Sequence, residues 1–154
     1  MTKKKFWTET HASSKKHDWE TPQHFFDELH AKYDFTLDAS ATGENAKLPN
    51  HFTIEDDALK QRWEGRVFVN PPYGREIKHW VEKAYKESLE SYNECVVMLI
   101  PSRTDTSYWH DYIFGKAKEI DFLRGRLKFE VNGKAGQPAP FPSAVIVYSK
   151  ELDK

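Results

Sequence analysis

The sequence predicts an α/β fold on an open, mixed sheet, and three observations carry that prediction. Apolar runs at 35–41, 67–69 and 94–100 each end in a polar or proline-bearing stretch, as strands do when they run out into loops. An amphipathic helical pattern at about 75–89 separates the second run from the third. The run 94–100 is continuously apolar, which suits a strand covered on both faces. No strong strand pattern lies between Ala39 and Val67, so the fold is either trimmed there or carries an ordered loop over a ligand.

Composition sets the bounds. The chain has 154 residues, enough for one domain with a sizeable core. Its net charge of -1 gives no overall attraction to nucleic acid, so such a partner has to be met by a local patch. The lone cysteine, Cys95, sits inside an apolar run and reads as a small core residue. There is no disulfide framework, signal peptide or apolar run long enough to cross a membrane, and a reducing cytosol is expected. The seven histidines show no ligand pair at helical spacing, so no metal is expected.

Residues 1–17 carry five lysines and one glutamate and read as a flexible basic arm, with the domain proper at 18–154. Thr21 and Pro22 look like the N-cap and first position of a helix reaching about Lys32, with Phe25, Phe26 and Leu29 on its apolar face. Trp19, just outside, is either a hydrophobic staple or an aromatic wall for a ligand. The strand 35–41 ends in Asp38 followed by the small Ala39, Ser40 and Ala41. In open α/β sheets ligands sit beyond the carboxyl ends of the strands. A carboxylate there suits a ribose hydroxyl or an amino group, and small neighbours let a ligand approach the backbone. Asp57, in the acidic triplet 55–57, is a second candidate contact or simply a solvated charge.

Asn70-Pro71-Pro72-Tyr73 follows the strand 67–69 directly. A Pro-Pro pair alone is an ordinary connector. At a strand tip the full tetrapeptide is a stiff loop offering an amide oxygen, a proline carbonyl and an aromatic face. Those groups suit a flat ring bearing an amine. Such an amine is a poor nucleophile because its lone pair is delocalised; acceptors on its two hydrogens favour a pyramidal nitrogen with the lone pair available. Tyr73 is placed to stack on the ring.

The later chain reads as a helix over 107–116, a strand at 119–123, an alternating stretch 126–130, a flexible connection through Asn132-Gly133 and 136–140, and a closing strand at 143–149. Four of the five charged residues at 124–134 are basic, a local positive patch. Arg75, Lys78, Arg103, Arg124, Arg126 and Lys128 are candidate phosphate contacts, each also readable as an ordinary surface charge. Phe141, between two prolines, is a base-stacking residue or a core aromatic.

Taken together, the stretches 18–22, 37–41, 70–74 and 100–106, with 122–127 and 140–144, resemble the phage-type, Dam-like DNA adenine N6-methyltransferases. The resemblance spans about 18–148. It implies a compact Rossmann-like methyltransferase fold with a mixed sheet, trimmed between the first strand and the Asn-Pro-Pro-Tyr strand, and S-adenosylmethionine as cofactor. It also implies DNA as partner and, for a phage-encoded chain, the cytoplasm of a bacterial host. Catalytic roles fall on Asn70, Pro71, Pro72 and Tyr73, and cofactor contacts on Trp19, Thr21, Pro22, Asp38, Ala39 and Asp57. The family's common Phe-x-Gly-x-Gly motif is absent, so Asp38 and Asp57 compete for the ribose or methionine amine. Cytosine N4, an RNA base and a protein glutamine are the alternative amines, and a catalytically silent DNA-binding protein is the alternative class. With no separate recognition domain visible, sequence specificity falls to loops, the basic arm or a second copy of the chain in a homodimer.

Overall fold

Strict alternation of side chains organises the structure, a computed structural model that describes residues 19–42 and 44–150. The sheet is five-stranded: β1 (Leu37–Asp38), β2 (Gly65–Val69), β3 (Asn93–Pro101), β7 (Ser143–Ser149) and β4 (Glu119–Phe122), in that spatial order. β1, β2 and β3 are parallel, whereas β7 is antiparallel to both β3 and β4. Val67, Val69, Val96, Met98, Ile100, Ala144, Ile146 and Tyr148 face one core. Phe68, Cys95, Val97, Leu99, Val145 and Val147 face the other. The period-2 geometry of a strand thus splits the apolar residues between two faces, and both faces are covered.

Helix α2 (Ile77–Ser88) closes the first face with Ile77, Trp80, Val81 and Ala84, beside the short α3 (Ser107–Tyr112). Helix α1 (Gln23–Tyr33) closes the second through Phe26, which meets Phe68 edge-on at 5.1 Å. Phe129 and Phe141 complete that face from the late loop region. A small hairpin of β5 (Glu130–Val131) and β6 (Lys134–Ala135) stands apart from the main sheet.

Several expectations need correction. Thr21 is not the N-cap and Pro22 is not the first helical residue. Pro22 itself is the cap, its carbonyl accepting from the Phe25 and Phe26 N–H groups. The N–H of Gln23 is satisfied from far away, by Glu130 Oε2 at 2.9 Å, which also places a carboxylate at the positive end of the helix. The first strand is only Leu37–Asp38, because the Asp38 side chain draws the following backbone into a loop. The helix expected over 107–116 ends at Tyr112 and continues as turns, with Gly115 at φ 81°.

The alternating stretch 126–130 is not a regular strand before Glu130. Its neighbour 136–142 contains Pro138, Pro140 and Pro142, which have no N–H to give. The two segments are held by only two such bonds, from Gly136 N to Phe129 O and from Ala139 N to Leu127 O, both 2.9 Å. Asn132-Gly133 is a tight turn rather than a flexible link: both residues have positive φ, 53° and 80°, as a two-residue hairpin requires.

The long stretch between β1 and β2 is ordered. Residues 50–52 run along the edge of β1, with Asp38 N donating to Asn50 O and Phe52 N to Asp38 O. Two 3-10 turns follow, Ile54–Asp56 and Ala58–Lys60, and then the fully buried Trp63. Glu87 on α2 holds this end. Its Oε1 accepts from Trp63 N at 2.7 Å and from the Tyr92 hydroxyl at 2.8 Å, and Oε2 pairs with Lys83 at 3.3 Å. Removing that carboxylate strands a buried N–H. Glu87→Ala is expected to cost about 2–3 kcal/mol, read as a lower urea midpoint at unchanged slope.

Candidate active site

The site is assembled at the carboxyl ends of β1 and β2, where side chains leave the sheet together. Asn70 is the first residue past β2, and two prolines stop the ladder immediately after it. Gly74 then adopts φ 135°, a conformation that favours glycine, and turns the chain into α2.

Three elements converge on the Asn70 carboxamide. Nδ2 donates to the Trp19 carbonyl at 2.6 Å and to Thr21 Oγ1 at 3.1 Å. Oδ1 accepts from the Tyr73 hydroxyl at 2.6 Å, and that hydroxyl also lies 3.1 Å from Leu99 O. Burial pushes the Tyr73 phenol well above its ordinary value, so it remains a proton donor. The ring of Tyr73 is met edge-on by Phe129 and Phe141 at 6.2 and 5.7 Å. Trp19 meets the same two phenylalanines at 5.4 and 5.2 Å. Trp19 and Thr21 are held in turn by the hairpin: Glu20 and Glu130 exchange backbone hydrogen bonds of 3.3 and 2.9 Å.

A cavity of about 730 Å³ opens beside this loop, within the range of small-molecule and cofactor sites. It brings together Trp19, Thr21, Asp38, Ala39, Asp57, Asn70, Pro71, Pro72 and Tyr73 from the sequence-derived set. Pro22 is buried at the helix start and does not line it. Arg75, Lys78, Arg103, Arg124, Arg126 and Lys128 lie outside it and are exposed. Arg103 sits over the Phe141 ring at 5.8 Å, and Arg126 donates to Ala139 O at 3.3 Å. Phe141 is 8 % exposed and packs in the second core beside Phe129.

The cavity also takes Lys47, Phe52, Ile54, Glu76, His79 and Trp80, which sequence reasoning missed. Glu76, His79 and Trp80 follow the tetrapeptide within ten residues, and their proximity was a usable signal. Lys47, Phe52 and Ile54 lie in the polar segment without a local pattern. They reach the site because Lys47 N is bonded to Asp38 Oδ2 and 50–52 pairs with β1.

The two competing carboxylates differ sharply. Asp38 is 3 % exposed, with Oδ1 accepting from Ser40 N at 3.3 Å and Oδ2 from Lys47 N at 2.9 Å. Burial pushes its carboxyl up to about 6, against the opposing pull of those two backbone N–H groups. Asp57 has a left-handed backbone, φ 56°, and a half-exposed side chain 3.7 Å from Lys60.

An α/β sheet whose carboxyl edge carries an immobilised carboxamide beside a cofactor-sized cavity fits the class of methyltransferases that act on a planar amine. The particular family follows from comparison. The Dam model, described as DNA N-6-adenine-methyltransferase, matches residues 8–154. The chain is 33% identical over 135 residues to the DNA N-6-adenine-methyltransferase of Haemophilus phage HP1 (strain HP1c1), covering 83% of this chain and 76% of that protein. Over 63 residues it is 36% identical to "Putative methyltransferase YfdM" of Escherichia coli (strain K12), covering 36% of this chain and 69% of that one. This chain belongs to the Dam family of DNA adenine N6-methyltransferases, and its cofactor is S-adenosylmethionine.

The donor set fits that cofactor: a buried carboxylate, small residues along Ala39–Ser40–Ala41 and aromatic walls at Trp19, Phe52 and Trp80 all line the cavity. Among the described residues, no helix is long and apolar enough to cross a membrane.

The Asp38 carboxyl titrates higher in the folded chain, about 6, than its ordinary 3.8. The native state therefore holds the extra proton between about pH 4 and 6, and this group's stabilising contribution is full at the acid end and falls as pH rises through that window. The loss is about 3 kcal/mol. Denaturation of the cofactor-free protein across that range, wild type against Asp38→Asn, is expected to show this fall in the wild type alone.

Proposed function

We propose that the Asn70–Tyr73 loop holds the target adenine and that the adjoining cavity holds the methyl donor. The observation that carries this reading is the Asn70 carboxamide, immobilised on three sides at the cavity wall. When bound, S-adenosylmethionine supplies a methyl carbon whose sulfur leaving group departs neutral. The remaining work belongs to the chain. Asn70 Oδ1 keeps one lone pair after accepting from Tyr73, and the Pro71 carbonyl accepts no hydrogen bond from the described residues. These two oxygens take the two N6 hydrogens, localise the nitrogen lone pair and aim it at the methyl carbon. One of the held protons leaves to water after transfer. Tyr73 contributes its ring to the base pocket and its hydroxyl to the clamp.

Trp19, Thr21, Asp38 and Ala39 border the donor, with Pro22 supporting the segment from behind. Asp38 is the better carboxylate for a cationic amine, since its charge is desolvated and a bound cation relieves that cost. Asp57, more exposed, is assigned to the cavity rim. For DNA, exposed Arg103, Arg124, Arg126 and Lys128 around Phe141, with Arg75 and Lys78 at the start of α2, form the phosphate grip that base extrusion requires. A second copy of the chain remains part of this reading as one source of sequence specificity, and the bacterial cytoplasm as its place of action.

Expression in a host lacking adenine methylation, followed by sequencing for modified adenines, tests the reading. Asn70→Ala is expected to lower turnover about 100-fold or more in a chain that still folds, at a cost of about 1–3 kcal/mol from the partners left unpaired. Wild-type turnover would remove Asn70 from the site. Replacing Arg124 and Arg126 with alanine is expected to flatten the salt dependence of DNA binding by about one to two slope units, measured by titration at several salt concentrations.

A further inference from the structure

The partners of Asn70 specify more than its position. Nδ2 carries two hydrogens, and both are used, one on the Trp19 carbonyl at 2.6 Å and one on Thr21 Oγ1 at 3.1 Å. Turning the amide over would set Oδ1 against the Trp19 carbonyl oxygen at that same 2.6 Å, two acceptors in contact. The Tyr73 hydroxyl locks the opposite end at 2.6 Å. The side chain therefore presents a single unsatisfied feature, one lone pair on Oδ1.

Thr21 is 3 % exposed and reaches this amide across 49 positions of sequence. Its backbone neighbours are pinned to the hairpin through Glu20 and Glu130, so its hydroxyl is delivered to a defined place. We propose that Thr21 is a positioning residue for the methyl-transfer step. With the Trp19 carbonyl it forms an acceptor pair that fixes the Asn70 carboxamide with Oδ1 toward the target amine, and so restricts position 70 to asparagine. This inference rests on the role of Asn70 argued above and assigns Thr21 a task distinct from contact with the cofactor. A carboxylate at position 70 keeps an oxygen for the amine. It has no hydrogen for the Trp19 carbonyl, however, and places like charge density against it.

The test measures kcat, KM for DNA and cofactor affinity by calorimetry in the full chain. Thr21→Val removes the acceptor at similar volume and is expected to lower kcat about tenfold, a larger effect than its effect on cofactor affinity. Thr21→Ser restores the acceptor and is expected to recover kcat to within about threefold of wild type. Asn70→Asp is expected to lose about 100-fold in kcat or more, and adding Thr21→Val to it should cost less than about twofold further, because the coupled partner is already gone. If Thr21→Val fails to fold, as judged by its thermal midpoint, Thr21→Ala and the Asn70→Asp arm decide. Unchanged kcat in Thr21→Val, or a loss confined to cofactor affinity, overturns the positioning role, and an active Asn70→Asp overturns the selection. Those results differ from an active Asn70→Ala, which defeats the underlying site reading instead.

Discussion

One hydrogen bond, from Asn70 Nδ2 to the Trp19 carbonyl, joins residues 51 positions apart and sets the geometry around it. It ties the tip of β2 to the segment that precedes α1, and that segment is bonded to the hairpin at Glu130. A helix start, a strand end and a late hairpin are thereby fixed to one another at the loop proposed to hold the target amine. The Tyr73 hydroxyl, whose one hydrogen goes to Asn70 Oδ1, also lies 3.1 Å from Leu99 O on β3. Buried networks of this kind are strong when every member is paired and costly when one is missing. A carboxamide suits the position because it donates on one side and accepts on the other.

Around this clamp the fold divides its labour between faces. The core lined by α2 and α3 supports the loop between β1 and β2, with Trp63 and Glu87 as its lower anchor. The opposite core, rich in phenylalanine, carries Trp19, Phe129 and Phe141 up to Tyr73. The cavity lies where the two meet at the carboxyl edge. Asp38 shows the cost of building a site there. Its carboxylate shapes the loop by collecting two backbone N–H groups, while burial makes its charge unfavourable.

Much of the fold was legible because period-2 and period-3.6 patterns are local. The strand at 143–149 and the apolar face of α2 at Ile77, Trp80, Val81 and Ala84 appear where the pattern places them. The errors share a cause. Thr21 has the chemistry of an N-cap, but its oxygen serves Asn70 instead, and the helix N–H goes to Glu130. The alternation at 126–130 is real, with Phe129 buried and Lys128 exposed, yet a regular ladder needs N–H groups that a proline-rich neighbour lacks. Lys47, Phe52 and Ile54 carry no local sign of a site.

By itself, the sequence determined the alternation that builds a two-faced sheet, the stiffness of the Asn-Pro-Pro-Tyr loop and its place at a strand tip. Each follows from the covalent geometry of neighbouring residues. Only the tertiary structure decided which oxygen of the clamp remains free, which carboxylate is buried and what walls the cavity. Hydrogen-bond pairing and desolvation depend on groups dozens of positions away, and those meet only when the chain is folded.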